Sequence, residues 1–139
     1  MKISTKGRYG LTLMIELARN FGEGPISLKS IAEQKELSNH YLEQLATPLR
    51  NAGLIRSVRG PYGGYVLAKE PSEITSGDVI RVLEGPITVV ESMENEEAAQ
   101  QALWAQIRDA IRNVLDTTTL KDLLEYDDKK IQGDYMFYI

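Results

Sequence analysis

The side chains that commonly carry out catalysis are scarce in this sequence. It contains one histidine, His40, no cysteine, and no serine or threonine in a recognisable nucleophile motif. General acid–base chemistry requires a positioned histidine or a carboxylate with a shifted pKa, and the acidic residues follow no metal-loop spacing. The glycine-rich stretch 60–64 lacks the Lys-Ser/Thr pair that completes a nucleotide-phosphate loop. We therefore expect a protein that is not an enzyme and has no cofactor and no metal site.

A polar stretch that begins at Ser38 has the residue types that read base edges. Leu42 and Leu45 must point inward on a helix, which leaves the polar residues between them outward. Asparagine and glutamine can pair with adenine, and glutamate can accept from the cytosine amino group. Any exposed helix face is polar, so this pattern alone is compatible with a simple solvated surface. The predicted base-reading residues are Ser38, Asn39, His40, Tyr41, Glu43 and Gln44.

A second stretch combines arginines with glycines. Arg56 and Arg59 flank a turn whose glycines allow the backbone a close approach. An arginine at such a turn suits the narrow, negative minor groove of DNA. Tyr65 is expected to pack rather than stack on a sugar. The predicted contacts here are Arg56, Arg59, Gly60, Tyr62, Gly63 and Gly64. Lys2, Lys6, Arg8, Ser27 and Arg50 complete the predicted DNA-binding set, in part as phosphate contacts.

The charge is distributed unevenly. Residues 1–69 contain ten Lys and Arg and five Asp and Glu, whereas residues 70–139 contain six Lys and Arg and fifteen Asp and Glu. Both predicted reading stretches lie in the basic half, which indicates that this half faces a polyanion. Chance variation along a solvated surface is the alternative for the charge pattern taken by itself.

Helix signals precede the arginine-rich turn. A first helix is predicted from Ser4 or Thr5 to Gly22, a second is capped by Ser27, and a third is capped by Ser38 and ends at Gly53. Pro48 lies inside the third helix, so a kink or a tight last turn is expected there. The apolar period then changes, which predicts two short strands over residues 55–58 and 65–67.

A further set of helices follows the hairpin. A capping box, Thr75 with Asp78, opens a helix that ends at Gly85, and residues 86–93 are predicted as a loop. A long helix is predicted from Asn95 to about Leu115, and a last short helix from Thr119 through Tyr126. This order is that of a mainly α winged helix-turn-helix. We predict a DNA-binding domain over 1–85, a dimerisation region over 86–132, and a partner-binding tail over 133–139.

The long helix carries more apolar surface than a small winged domain needs. A second copy of the chain would cover it, and coverage within one chain is the alternative. The predicted dimerisation residues are Leu103, Trp104, Ile107, Ile111, Val114 and Leu115.

Five stretches together resemble the bacterial winged-helix regulators of the IscR, NsrR and CymR type. They are "MKISTKGRYGLTLMIELA", "SLKSIAEQKELSNHYLEQL", "PLRNAGLIRSVRGPYGGYVLA", "ITSGDVIRVLEGPI" and "ALWAQIRDAIRNVLDTTTLKDLL". The resemblance implies a homodimeric transcription regulator that binds pseudo-palindromic double-stranded DNA. The lack of cysteine and of an apolar N-terminal run predicts a cytoplasmic setting. Many members sense through an iron–sulfur cluster held by three cysteines, and the corresponding stretch "VESMENEEAAQQALW" has none. Cluster sensing is therefore excluded on the sequence.

Within that family the chain is most similar to the cluster-free CymR-type branch, which represses cysteine metabolism. "LEGPI", "LWAQIRDAIRNVLD" and the ending "YMFYI" carry this similarity. It implies a partner enzyme, O-acetylserine sulfhydrylase (cysteine synthase), and O-acetylserine as the signal that relieves repression.

The predicted partner-binding residues are Tyr135, Met136, Phe137, Tyr138 and Ile139. Serine acetyltransferases are known as a family to end in Ile and to insert that terminus into the sulfhydrylase site, and this ending is similar. Packing of the tail on the dimer is the alternative. Two other functions remain open: a DNA-binding regulator with a direct effector pocket near Trp104 and Tyr126, and a winged-helix module that binds only protein.

Overall fold

The computed structural model describes residues 2–133 and forms six helices and one two-stranded sheet within them. The elements are α1 (Thr5–Arg19), α2 (Leu28–Lys35), α3 (Asn39–Asn51), β1 (Ile55–Val58), β2 (Gly64–Leu67), a 3-10 turn (Pro71–Glu73), α4 (Ser76–Glu84), α5 (Ala98–Thr117) and α6 (Leu120–Gly133). The predicted partner-binding residues Tyr135 to Ile139 lie outside the described residues. Within residues 2–133, no helix is long and apolar enough to cross a membrane.

Serine side chains begin the first three helices. Ser4, Ser27 and Ser38 each accept a hydrogen bond from a backbone N–H in the first turn that follows. The box at α4 is complete, because the Thr75 hydroxyl accepts from the N–H of Asp78 and the Asp78 carboxylate accepts from the N–H of Thr75, both at 3.0 Å. These caps satisfy N–H groups that a helix leaves without partners, and they confirm the predicted helix starts.

The core lies where α1, α2, α3 and α4 meet the base of the sheet. Its fully buried side chains include Leu13, Met14, Leu17, Ile31, Leu42, Leu45, Leu49, Ile55, Ile74, Val79 and Leu120. Gly10 lets α1 and α4 approach closely, since a Cβ at this position would lie 1.9 Å from Leu83 Cδ1. The α4 helix is thereby packed closely on α1.

Several predicted boundaries were wrong. The first helix ends at Arg19 and the third at Asn51, each shortly before the glycine that was expected to end it. Pro48 lies inside α3, as predicted. The strand β2 already begins at Gly64.

Larger differences occur after the sheet. The long helix starts at Ala98 rather than Asn95, because the N–H of Glu97 donates to Gln100 Oε1 at 3.3 Å and ends the preceding loop there. The last helix runs to Gly133 rather than Tyr126, since no glycine or proline interrupts it before that residue. The 3-10 turn at Pro71–Glu73 was not predicted.

Candidate nucleic-acid interface

The α3 helix buries one face and exposes the other. Leu42, Leu45, Ala46 and Leu49 are buried, as the leucine spacing predicts. The opposite face exposes Asn39, His40, Glu43, Gln44 and Arg50. Gln44 Nε2 lies 3.3 Å from His40 Nε2, one helical turn away. This face therefore presents donors and acceptors of the kind that recognise base edges.

Two of the predicted base-reading residues support α3 itself. The Ser38 hydroxyl accepts from the N–H of Tyr41 at 3.2 Å. The Tyr41 ring is half-buried and meets Tyr9 edge to face, with ring centroids 6.0 Å apart. Contacts of these two side chains with bases remain a prediction.

The sheet is a hairpin that forms the wing. Ile55 pairs with Leu67 and Val58 with Gly64 in antiparallel register, so the turn projects beyond Val58. Arg56 and Arg59 are exposed, and Tyr62 at the tip is 91% exposed. Tyr65 packs against the core, as predicted.

The wing glycines allow close approach of the chain to its own backbone. A Cβ at Gly63 would lie 2.1 Å from the Val58 carbonyl oxygen, and one at Gly64 would lie 2.2 Å from the Ile26 carbonyl oxygen. Gly60 has a φ of 116°, which other residues rarely adopt. These three glycines therefore shape the wing and its attachment, whether or not DNA is bound.

A cleft of about 430 Å³ separates α3 from the wing. We call it the α3–wing cleft; its lining residues are Ser27, Leu28, Lys29, Asn39, Glu43, Thr47, Gly64 and Tyr65. The fold thus brings together predicted residues from three separate parts of the chain. Lys29 and Thr47 were missed by the sequence reasoning. A basic side chain two residues after a helix cap was the available signal for Lys29.

The predicted phosphate contacts on the N-terminal segment divide into two groups. Lys6 and Arg8 are exposed on α1. Lys2 lies instead beside the end of α4, where it lines a cavity of about 300 Å³ with Glu84 and Glu91. The backbone N–H and the hydroxyl of Ser4 both donate to the Glu84 carboxylate, which ties the start of α1 to the end of α4.

The predicted dimerisation residues follow one side of α5, and we call them the α5 stripe. No residue of α5 is buried in the protomer; Leu103 is 48% and Val114 is 60% exposed. Ile111, Val114 and Leu115 line an apolar groove of about 490 Å³ together with Ile3 and Ala110, which the sequence reasoning missed. The buried indole N–H of Trp104 has no acceptor among the groups that the structure describes. Tyr126, on α6, is 59% exposed.

The helix-turn-helix, the wing and the exposed reading face define a DNA-binding transcription regulator. The chain belongs to the Rrf2 family, described as iron-dependent transcriptional regulator, whose profile matches residues 3–126. It is 67% identical to the HTH-type transcriptional regulator CymR of Bacillus subtilis (strain 168) over 139 residues, the full length of both chains. It is 36% identical to the regulator IscR of Serratia proteamaculans (strain 568), over 96% of this chain and 85% of that one.

The same relationship is found among solved structures. The structure of CymR, described as the global cysteine regulator of B. subtilis, superposes with a TM-score of 0.86 over 91% of this chain and 98% of the other. These relatives are transcription regulators, in agreement with the prediction that the chain is not an enzyme. The predicted winged-helix fold is confirmed.

The iron implied by the family description does not fit this chain. The chain has no cysteine to supply thiolate ligands. Among residues 2–133, no group of three His, Cys, Asp or Glu side chains is arranged to hold a metal ion. This chain therefore cannot hold a cluster through thiolate ligands.

Proposed function

We propose that the protein is a homodimeric repressor of cysteine and sulfur metabolism genes that binds pseudo-palindromic operators. The observation that carries the proposal is the α3–wing cleft, where polar side chains of α3 lie beside an arginine-bearing hairpin. The description of the 67% identical B. subtilis protein as a global cysteine regulator supports this set of genes.

In this proposal α3 enters the major groove and the wing contacts the adjacent minor groove. Asn39, Glu43 and Gln44 read base edges, and Arg59 enters the minor groove. The remaining predicted residues contact the backbone or position these side chains, and Lys29 joins them as a phosphate contact. Lys2 is the least suited of the set, because it lines the same cavity as Glu84 at the end of α4 and Glu91 in the loop that follows.

Dimerisation through the α5 stripe is supported by its exposure in the protomer. A buried polar group normally has a hydrogen-bond partner, and a second copy can supply the acceptor that Trp104 Nε1 lacks among the described groups of its own chain. The division into a DNA-binding domain over 1–85, a dimerisation region over 86–132 and a tail over 133–139 belongs to the same proposal.

Regulation is proposed to act through O-acetylserine sulfhydrylase, which binds residues 135–139 of the tail. The tail follows α6 directly, so an enzyme bound there is held next to the dimer. O-acetylserine would compete with the tail for the amino-acid site of the enzyme, release it and relieve repression. The resemblance of "YMFYI" to the ending of CymR-type regulators supports this step.

The test is a binding titration on upstream DNA of sulfur-assimilation genes, with and without sulfhydrylase. We expect the enzyme to tighten DNA binding and O-acetylserine to reverse the effect. A variant that lacks residues 135–139 should bind DNA as a dimer, and neither the enzyme nor O-acetylserine should change its affinity. Equal binding of all genomic fragments would overturn the operator proposal, and an unchanged response of the shortened variant would overturn the role of the tail.

Calorimetry of the protein alone with O-acetylserine separates this mechanism from a direct effector pocket. No heat of binding is expected. Saturable binding to the protein without the enzyme would favour a direct pocket near Trp104, and Trp104→Phe should then weaken it.

A further inference from the structure

The end of α5 is hydrogen-bonded to the start of α4. The Ser76 hydroxyl donates to the Leu115 carbonyl at 2.9 Å, and the Ser76 N–H donates to the Thr118 carbonyl at 2.8 Å. The N–H of Leu120 donates to the Ile74 carbonyl at 2.9 Å. Three hydrogen bonds between segments far apart in sequence therefore hold this corner of the fold.

An ion pair spans the same corner. Arg81 Nη1 and Nη2 donate to the two carboxylate oxygens of Asp116 at 2.5 and 2.9 Å. This hydrogen bonding holds the pKa of Asp116 below its ordinary value and raises that of Arg81. Both side chains are partly exposed, so the pair adds little stability. Its bidentate geometry fixes an orientation instead.

Gly77 brings the two helices as close together as their atoms allow. A Cβ at Gly77 would lie 2.3 Å from Asp116 Oδ1 and 3.2 Å from the Leu115 carbonyl oxygen. We call Ser76, Gly77, Arg81 and Asp116 the α4–α5 clamp. A second tether lies nearer the middle of α5, where Arg112 Nη2 donates to the Ile87 carbonyl at 3.3 Å.

The clamp connects the proposed dimer interface to the reading helix. On its other side α4 packs on α1 and α3, with Val79 and Leu83 buried in the core they share. The orientation of α5 relative to α3 therefore depends on how α5 is held on α4.

We infer that the α4–α5 clamp sets the distance and angle between the two recognition helices of a dimer, and thereby selects the spacing of operator half-sites. The inference rests on the proposed pairing of two copies through α5. One base pair of added spacing moves a half-site by about 3.4 Å and rotates it by roughly 35°. A rigid connection between α4 and α5 cannot adapt the two recognition helices to the altered spacing, whereas a loosened connection can.

The experiment uses the full chain and a set of symmetric duplexes. They carry the same two half-sites with the natural spacing or with one base pair added or removed, and one duplex carries a single half-site. Arg81→Met removes the ion pair, and Arg81→Lys keeps the charge but not the bidentate bond. Asp109→Asn is the matched control, because it removes the partly exposed Arg108–Asp109 pair (3.1 Å) from the same helix.

We expect the unaltered protein and Asp109→Asn to prefer the natural spacing by about tenfold or more, of the order of the cost of deforming DNA. Arg81→Met should reduce this preference to about threefold or less, while binding to the single half-site stays unchanged. Arg81→Lys should fall between the two. Each variant is checked for an unchanged dimer by sedimentation.

Two negative results are distinguishable. If Arg81→Met weakens all spacings equally and keeps the preference, the ion pair has only a structural role and the inference fails. If the unaltered protein shows no preference for any spacing, the proposed dimer on a pseudo-palindrome fails, and the inference fails with it.

Discussion

Ile26 and Tyr65 are joined by two backbone hydrogen bonds that attach the wing to the helix-turn-helix. The N–H of Ile26 donates to the Tyr65 carbonyl at 3.1 Å, and the N–H of Tyr65 donates to the Ile26 carbonyl at 2.9 Å. Ile26 immediately precedes Ser27, which caps α2. The wing is therefore held by the segment that starts the helix-turn-helix, and the α3–wing cleft has a defined width.

Gly64→Ala should separate the wing from α2. The added Cβ would overlap the Ile26 carbonyl oxygen, so one of the two Ile26–Tyr65 hydrogen bonds must lengthen. We expect operator affinity to fall by about tenfold or more, a change of about 1.4 kcal/mol or more in binding free energy, because the displaced wing no longer meets DNA together with α3. Fluorescence anisotropy measures this against Ser57→Ala, which alters an exposed wing residue. An affinity equal to that of the control would show that attachment of the wing to α2 does not affect DNA binding.

Arg59→Ala should weaken operator binding and reduce its dependence on salt. If the guanidinium enters the minor groove in each half-site, its loss costs about 1–3 kcal/mol and lowers the log–log salt slope by about one for each site. Lys121→Ala, which removes a positive charge from α6, is the control and should change neither value. An unaltered slope with Arg59→Ala would place this side chain away from DNA.

Val114→Asp should dissociate the dimer without unfolding the protomer. Val114 is 60% exposed on the α5 stripe, so the carboxylate meets water in the monomer and apolar surface in the dimer. Sedimentation should show a monomer, with a melting temperature that no longer depends on concentration. Asn113→Asp adds the same charge about 100° around the helix and should leave the dimer intact. If the Val114→Asp protein remains a dimer, the α5 stripe is not the dimer interface.

Glu16→Gln should lower stability more than an exposed charge change does. Glu16 is 4% exposed; its carboxylate accepts from Arg19 and lies 3.1 Å from Lys35 Nζ. Its partners are partly exposed and can turn to water, so we expect a loss of about 1–2 kcal/mol in the free energy of unfolding. Glu23→Gln, at an exposed position, should stay within about 0.5 kcal/mol. Denaturant unfolding measures the free energy of unfolding of both variants. Equal losses would show that the buried position of Glu16 does not affect stability.

The Arg81–Asp116 pair should be insensitive to pH in the neutral range. The hydrogen bond from Arg81 holds the folded-state pKa of Asp116 below its ordinary value of 3.8. A depressed carboxyl pKa contributes stability above 3.8, and this contribution is lost as the pH falls through the folded-state value. The difference in melting temperature between the unaltered protein and Asp116→Asn should therefore be constant from about pH 5 to 8 and shrink in acid. A difference that changes near neutrality would require another titrating group.

Local chemistry explains why much of the fold was predictable. Serine caps at residues 4, 27 and 38 and the box at Thr75 act within one turn of chain, so the helix starts could be predicted from neighbouring residues. The alternating and glycine-rich pattern of residues 55–67 defines a hairpin in the same way. The helix ends were less predictable: α1 and α3 end before the glycines that follow them, and α6 continues through polar residues.

The chain sequence by itself determined that this protein has a winged helix-turn-helix, a polar helix face in its basic half and no thiolate for an iron site. These properties depend on residue types, on spacing and on the absence of cysteine. Only the tertiary structure decided that Lys29 shares a cleft with Glu43, that Gly64 meets Ile26, and that Arg81 holds Asp116. Such contacts join residues many positions apart, and local propensity contains no information about which distant surfaces meet when the core closes.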